Sequence, residues 1–327
     1  MRIGELVRKG YEARKFAPSE ELPLPNTLMG VEIEVERADR RFIDIRNHPF
    51  WSVTEEPMLR NNGREFIFAT PLFGQDLVDA LEFFDQTIGE AKHDNPDSFE
   101  FNHRTSVHAH IDVRDMEPEE LFRMLMYYVI FERLLFDWIH RVSGIDRSEN
   151  PFCIPYFNSA DDYIGLLNTL NKMNRYPDPE VAIRDHLLAP AQRYSAVNFA
   201  SLDQFGTLEF RQLHGTHEYD VIMFWIQVIQ NLKRAAKKYQ IDPDQLLAHV
   251  SGIGPREFLR EVFPENHETL MEMPDVEWEI MLGVRRAQDM LLNYAIQEVN
   301  SVVWQQLSAD EMVNNLSDRL KRNRREA

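Results

Sequence analysis

Three short runs of the sequence alternate apolar residues with residues able to bind metals or phosphates. In Gly30-Val-Glu-Ile-Glu-Val-Glu36, a two-residue period sets Val31, Ile33 and Val35 on one side of a strand and Glu32, Glu34 and Glu36 on the other. In Ser106-Val-His-Ala-His-Ile-Asp112 the polar side carries His108, His110 and Asp112. In Thr207-Leu-Glu-Phe-Arg211 it carries Thr207, Glu209 and Arg211. One such strand reads as a sheet with a wet face, and a lone His-x-His pair is as often structural as metal-binding. Three strands that choose Glu, His and Arg over mixed Lys, Ser, Thr and Gln point instead to one shared polar pocket. Two further acidic positions stand out. Glu65 starts a strand after the Asn62-Gly63 turn signal, and Glu55-Glu56 closes the run that begins at Trp51. The plain alternatives are an edge-strand charge for Glu65 and loop positions for Glu55 and Glu56.

Four or five carboxylates with a histidine suit hard divalent cations such as Mg2+ or Mn2+, which prefer oxygen ligands. Glutamate predominance argues against zinc, and a single cysteine, Cys153, leaves no thiolate cluster. Cys153 sits between prolines and apolar neighbours and reads as a small buried residue. Metal-holding acids beside arginines fit phosphoryl transfer, in which metal ions bridge nucleotide phosphates and a cation stabilises the phosphoryl group in flight. Arg211 has the chemistry for that last role. A second arginine, Arg193, lies in Arg193-Tyr-Ser-Ala-Val-Asn198, where Asn198 is suited to a substrate or nucleotide edge. A salt bridge is the plain reading of Arg193 in so acidic a chain.

The elements that must hold these residues follow from periodicity. Residues 1–27 are polar and proline-bearing and read as a short helix and an extended lead-in. From Leu28 to about Gly215, period-two runs alternate with helical stretches, the longest over Asp115–Arg141 with Pro118 in its first turn; this is an α+β pattern. From Val221 onward the segments Val221–Tyr239, Pro255–Val262 and Glu277–Leu307 read as helices, so the chain divides into a lead-in (1–27), a core (28–220) and a helical C-terminal region packed on it (221–327).

With 36 Lys and Arg against 54 Asp and Glu, the net charge of −18 disfavours nucleic acid and anionic membrane surfaces as partners. No run reaches the roughly 18 apolar residues of a membrane span, and the first residues lack an apolar leader core; a cytoplasmic protein is expected. Phosphate-loop, H-E-x-x-H and G-x-S-x-G signatures are missing.

Five motifs taken together resemble the amidoligase family: Gly-Val-Glu-Ile-Glu at 30–34, a Trp-x-Val run leading to an acidic turn and Glu65, Val-His-Ala-His at 107–110, Arg-Tyr-x-x-x-Asn at 193–198, and Thr-Leu-Glu-Phe-Arg with His-Gly-Thr over 207–216. That family, frequent in bacteriophages and bacteria, is grouped with the glutamine-synthetase-like carboxylate-amine ligases. The resemblance implies a curved antiparallel sheet with packed helices, whose concave face holds two or three divalent ions (Mg2+ or Mn2+) and ATP. It implies one ion on Glu34, Glu65 and an acid near Glu56, and another on Glu32, His108 and Glu209. His110 and Asn198 would lie toward the nucleotide, and Arg211 and Arg193 would stabilise the transferring phosphoryl group and bind the acyl phosphate. The implied reaction joins a carboxylate to an amine through an acyl phosphate, the substrates being an amino acid, peptide, protein or cell-wall component, in a bacterial cytoplasm if the protein is phage-encoded. Oligomers occur among such enzymes, although this motif set looks self-contained. One departure is visible: the family's Asp-Gly-Ser turn is replaced by Glu55-Glu56-Pro57-Met58. Two rival readings stand beside it. One is a metal-dependent hydrolase, whose barrel needs parallel strands alternating with helices. The other is a non-catalytic protein that keeps the sheet.

Overall fold

The computed structural model describes residues 2–6, 27–156, 194–241 and 245–289. Six strands, β1 (Met29–Val35), β2 (Trp51–Glu55), β3 (Arg64–Phe68), β4 (Ser106–Asp112), β5 (Val197–Asn198) and β6 (Thr207–His214), form one sheet in the order β2-β3-β1-β4-β6-β5. Every neighbouring pair is antiparallel. The strands exist for the reason the sequence gives: in β1 fully buried Met29, Val31, Ile33 and Val35 alternate with partly exposed Gly30, Glu32 and Glu34. Asn61 and Asn62 adopt left-handed backbone (φ 53° and 61°) and turn the chain from β2 into β3, a conformation asparagine tolerates better than most residues.

The helices are α1 (Ile3–Leu6), α2 (Phe42–Asn47), α3 (Gly74–Asp94), α4 (Pro118–Ser143), α5 (Ser201–Phe205), α6 (Tyr219–Lys238), α7 (Leu246–Ile253), α8 (Pro255–Val262) and α9 (His267–Met271). α4 begins with Pro118 in its first turn and with Glu120 accepting the Glu117 amide at 2.9 Å, and it stops at Gly144, whose φ of 70° suits glycine. It and α6 cover the apolar face of the sheet, on which Val107, Ala109, Ile111, Leu208 and Phe210 are fully buried. Trp138 of α4 stacks on Phe224 of α6 at 4.3 Å. Residues 276–289 are helical and cross α4 closely enough that a Cβ on Gly283 would lie 1.9 Å from the Ile130 carbonyl oxygen.

The α+β expectation holds, and the chain described after β6 is helical. Most of the 1–27 lead-in and the end of the 277–307 helix lie outside the described residues. Among the described residues no helix is long and apolar enough to cross a membrane. One expectation is corrected. Glu36 does not continue the row of Glu32 and Glu34, because β1 ends at Val35. Its buried carboxylate instead accepts the Arg60 amide at 2.9 Å, Asn102 Nδ2 at 3.2 Å and Arg104 Nε at 3.0 Å, tying three loop positions to the end of the sheet.

Candidate active site

The three ligand-bearing strands are adjacent, so their polar faces merge. Register sets Glu34 opposite Glu65, Glu32 opposite His108, and His110 opposite Glu209, with Asn198 on the other side of Glu209. Between Val107, paired with Leu213, and Ala109, paired with Phe210, β6 carries one extra residue. Arg211 and Gln212 therefore both stand opposite His108 alone, and the bulge re-aims Arg211 over the polar face. Above that face lies a cavity of about 640 Å3, whose lining includes Glu32, Glu34, Glu56, Glu65, His108, His110, Asn198, Glu209 and Arg211.

Glu32 is the hub. Its two oxygens lie 3.1 Å from His108 Nδ1 and 3.2 Å from His110 Nε2, and His108 Nδ1 is also 3.3 Å from Glu209. Around this centre each group has a second support. The Ser106 hydroxyl donates to Glu34 at 2.6 Å and lies 2.8 Å from His108 Nε2, and the Ser106 amide adds 2.9 Å to the same Glu34 oxygen. Asn198 donates to Glu209 at 2.7 Å, Thr207 Oγ1 lies 3.2 Å from His110 Nδ1, and Arg211 pairs with Glu209.

The electrostatics follow from this crowding. Burial alone would raise the Glu32 carboxyl, but the two imidazoles, His110 foremost, hold it well below its usual range. Glu209 behaves likewise: His108, His110 and Arg211 outweigh burial and lower it. His110 moves the other way, since the attraction of Glu32 and Glu209 exceeds the burial that would discharge it. Glu65 has little such help. Burial first, then the like charge of Glu32, push it up to about 7. In chemical terms the cluster of carboxylates favours a proton on His110 and one on Glu65.

Two triplets could replace those protons by cations: Glu32, His110 and Glu209, and Glu32, Glu65 and His108, with ligand atoms inside each triplet within 4.8 Å of one another. Ligands about 2.1 Å from a divalent ion lie at most about 4.2 Å apart, so small side-chain adjustments suffice. Oxygen-rich donors with one imidazole each fit Mg2+ or Mn2+.

The site differs in detail from the grouping implied by the sequence resemblance. Glu32 belongs to both triplets, His110 joins one of them, and Glu34 is engaged with Ser106. Of the two adjacent glutamates, Glu56 lines the cavity while Glu55 faces outward, 82% exposed and 3.3 Å from Arg64. Arg193 lies outside the described residues; its neighbour Tyr194 lines the cavity. Asp112 is not a free ligand, because Arg114 binds both its oxygens at 2.7 Å. Cys153 is fully buried with its thiol pushed up to about 11 by that burial, in keeping with a packing role. Sequence reading missed Ser106, Arg104, Arg147 and Phe205, all of which line the cavity. Ser106 was within reach of the strand's alternation; the other three sit on loops or a single turn, where no period marks a direction.

A second, mostly apolar recess of about 220 Å3 adjoins the cavity, and Glu32, His110 and Phe205 border both. Leu28, Gly30, Ile67, Ala69 and Pro71 contribute to its walls. Phe205, the last residue of α5, meets the His110 ring edge-on at 6.1 Å.

Residues 94–233 match the model of a protein family described as "Putative amidoligase enzyme". This bears out the family resemblance drawn from the motifs. The matched span carries His108, His110, Asn198, Glu209 and Arg211, whereas Glu32, Glu34, Glu56 and Glu65 precede it and join the site through strand pairing. A search of curated proteins returns no match.

Proposed function

We propose that the protein is an ATP-dependent carbon-nitrogen ligase that activates a carboxylate as an acyl phosphate and passes it to an amine. The observation that carries this reading is Glu32, shared by two cation-sized triplets on a sheet face that also presents Arg211, inside and beside a segment matched by an amidoligase family.

The residues divide the work. Glu32, Glu65, Glu209, His108 and His110 would hold divalent cations, with Glu34 and Glu56 as further oxygen donors at the same wall. When bound, such ions supply neutralisation of the nucleotide phosphates. The apolar recess offers the nucleobase a dry surface beside Phe205. Arg211, oriented by Glu209, presents its guanidinium to the oxygens of the transferring phosphoryl group. A carboxylate oxygen of the acceptor attacks the γ-phosphorus, and the bond to the β,γ-bridging oxygen breaks with its electron pair leaving on ADP. The amine nitrogen then attacks the acyl carbon; orthophosphate departs with the C–O electron pair and takes up the amine proton.

A hydrolase of the parallel-barrel kind conflicts with a sheet that is antiparallel throughout. A retired, non-catalytic sheet conflicts with the clustering of like charges, which costs stability without a ligand. The test is titration calorimetry with ATP or a non-hydrolysable analogue in Mg2+, in Mn2+ and in EDTA. Metal-dependent binding that Glu32→Ala removes is expected; binding that ignores metal, or survives the substitution, refutes the reading.

A further inference from the structure

Arg147, just beyond α4, carries a buried guanidinium with no direct ion pair among the described residues. Its side chain is 2% exposed. Nε donates to the Gln212 carbonyl at 3.4 Å and Nη2 to the Arg211 carbonyl at 3.1 Å, both on the bulge of β6. Other buried cations have a carboxylate: Arg114 has Asp112 at 2.7 Å and Lys233 has Asp115 at 2.6 Å. Among the described residues none lies within ion-pair distance of Arg147. The Cys153 thiol also bonds it and Glu34 attracts it from beyond ion-pair distance, but a buried cation with no carboxylate in direct contact retains an attraction for an anion. Arg147 also lines the main cavity, so an anion entering there can reach it.

Position along the strands says which anion. Asp112 and Thr207 stand at the end nearest the apolar recess, followed by the row of Gly30, His110 and Glu209, then by Glu32, His108 and Arg211, and then by Glu34 and Ser106, with Arg104 and Arg147 at that far end of the cavity wall. On the ligase reading above, on which this step rests, the base lies in the recess and the phosphates over the middle, so the group beyond the γ-phosphate is the acceptor. Phe152 and Tyr194, 42% and 40% exposed and packed edge-on at 5.5 Å, line the cavity as well and give its mouth an apolar lip. We propose that Arg147 anchors the carboxylate of the acceptor, which enters from the end opposite the apolar recess.

The experiment titrates orthophosphate, a small oxyanion probe, into protein saturated with Mg2+ and β,γ-methylene ATP, so that the γ-position is already filled; acetate then serves as competitor. Wild type should bind orthophosphate and release it to acetate. Arg147→Gln should lose at least tenfold in orthophosphate affinity with nucleotide affinity changed less than twofold, and Arg147→Lys should recover most of the loss. A purely structural role in pinning the bulge would lower the melting temperature of both variants without this split between Lys and Gln. Unchanged orthophosphate binding in Arg147→Gln overturns the proposal. So does a variant that loses affinity for the ATP analogue but not for ADP, since Arg147 would then serve the γ-phosphoryl group. If wild type binds no nucleotide with any metal, the ligase reading fails by itself, and the same Gln-against-Lys comparison with orthophosphate and Mg2+ alone decides whether Arg147 is an anion site.

Discussion

Glu34 and Glu65 stand directly opposite each other in the register of β1 and β3. Like charges facing across a strand pair destabilise a sheet. Burial first, then the like charges of Glu32 and Glu34, push the Glu65 carboxyl up from its ordinary 4.5 to about 7. A carboxyl raised in the folded state favours folding while protonated, below the unfolded value of 4.5, and that contribution is lost as pH rises through about 7. In EDTA, wild type should therefore lose stability relative to Glu65→Gln between pH 4.5 and 8, by at most about 3 kcal/mol. Urea unfolding at several pH values measures this, and parallel curves for the two proteins would refute it. Metal affinity should run the other way in wild type and strengthen from pH 6 to pH 8, because the ligand must lose its proton.

The sharing of Glu32 predicts an unequal pair of variants. Glu32→Gln touches both triplets and should abolish high-affinity binding of Mn2+ altogether, whereas Glu65→Gln touches one and should leave the Glu32, His110 and Glu209 triplet able to bind. Counting bound Mn2+ by electron paramagnetic resonance separates the two cases. Equal losses would mean that the triplets are not distinct sites.

Much of this site was legible because a strand's period of two is unambiguous. β4 occupies Ser106–Asp112 as the alternation predicts, and the polar faces of β1, β4 and β6 do converge. Glu36 shows the limit: alternation gives a direction only while the strand lasts, and the strand's end depends on the Arg60, Asn102 and Arg104 contacts that pull Glu36 away. Arg147 shows a second limit. Nothing local distinguishes it from any loop arginine, and its burial arises from packing against the β6 bulge, 64 residues away in sequence.

His214, at the end of β6, is 8% exposed, and burial followed by the charge of Arg147 lowers its imidazole from 6.5 to about 4. The folded state thus favours neutral His214. That contribution is complete above pH 6.5 and is lost as pH falls through about 4, worth at most about 3 kcal/mol. His214→Asn should flatten the stability profile between pH 6.5 and 4 compared with wild type. An unchanged slope in denaturant titrations would show that His214 is not the group involved.

Two glycines in helices should respond oppositely to alanine. A Cβ on Gly89 in α3 meets nothing within 4 Å, so Gly89→Ala should gain about 0.5 to 1 kcal/mol from helix propensity. At Gly283 the added atom would meet the Ile130 carbonyl at 1.9 Å and force the 276–289 helix off α4, for a loss of about 2 kcal/mol or more. Thermal unfolding of the two variants gives the signs directly.

β1 lies inside the sheet, yet it precedes all five other described strands in the chain, and this orders events during synthesis. Glu32 leaves the ribosome 76 residues before His108, and a further 97 residues separate His110 from Thr207 on the strand that bears Glu209. A nascent chain that has made only β1 to β3 holds a hydrogen-bonded set of acids with one edge of β1 still open. Charged side chains along that edge discourage pairing with a neighbouring nascent chain. The imidazoles and the arginine arrive only when β4 and β6 dock, long-range pairings that form slowly. On the proposed reading, tight cation binding would become available only to a chain that has completed its sheet, and capture of the ions would stabilise the finished product without rewarding the intermediates.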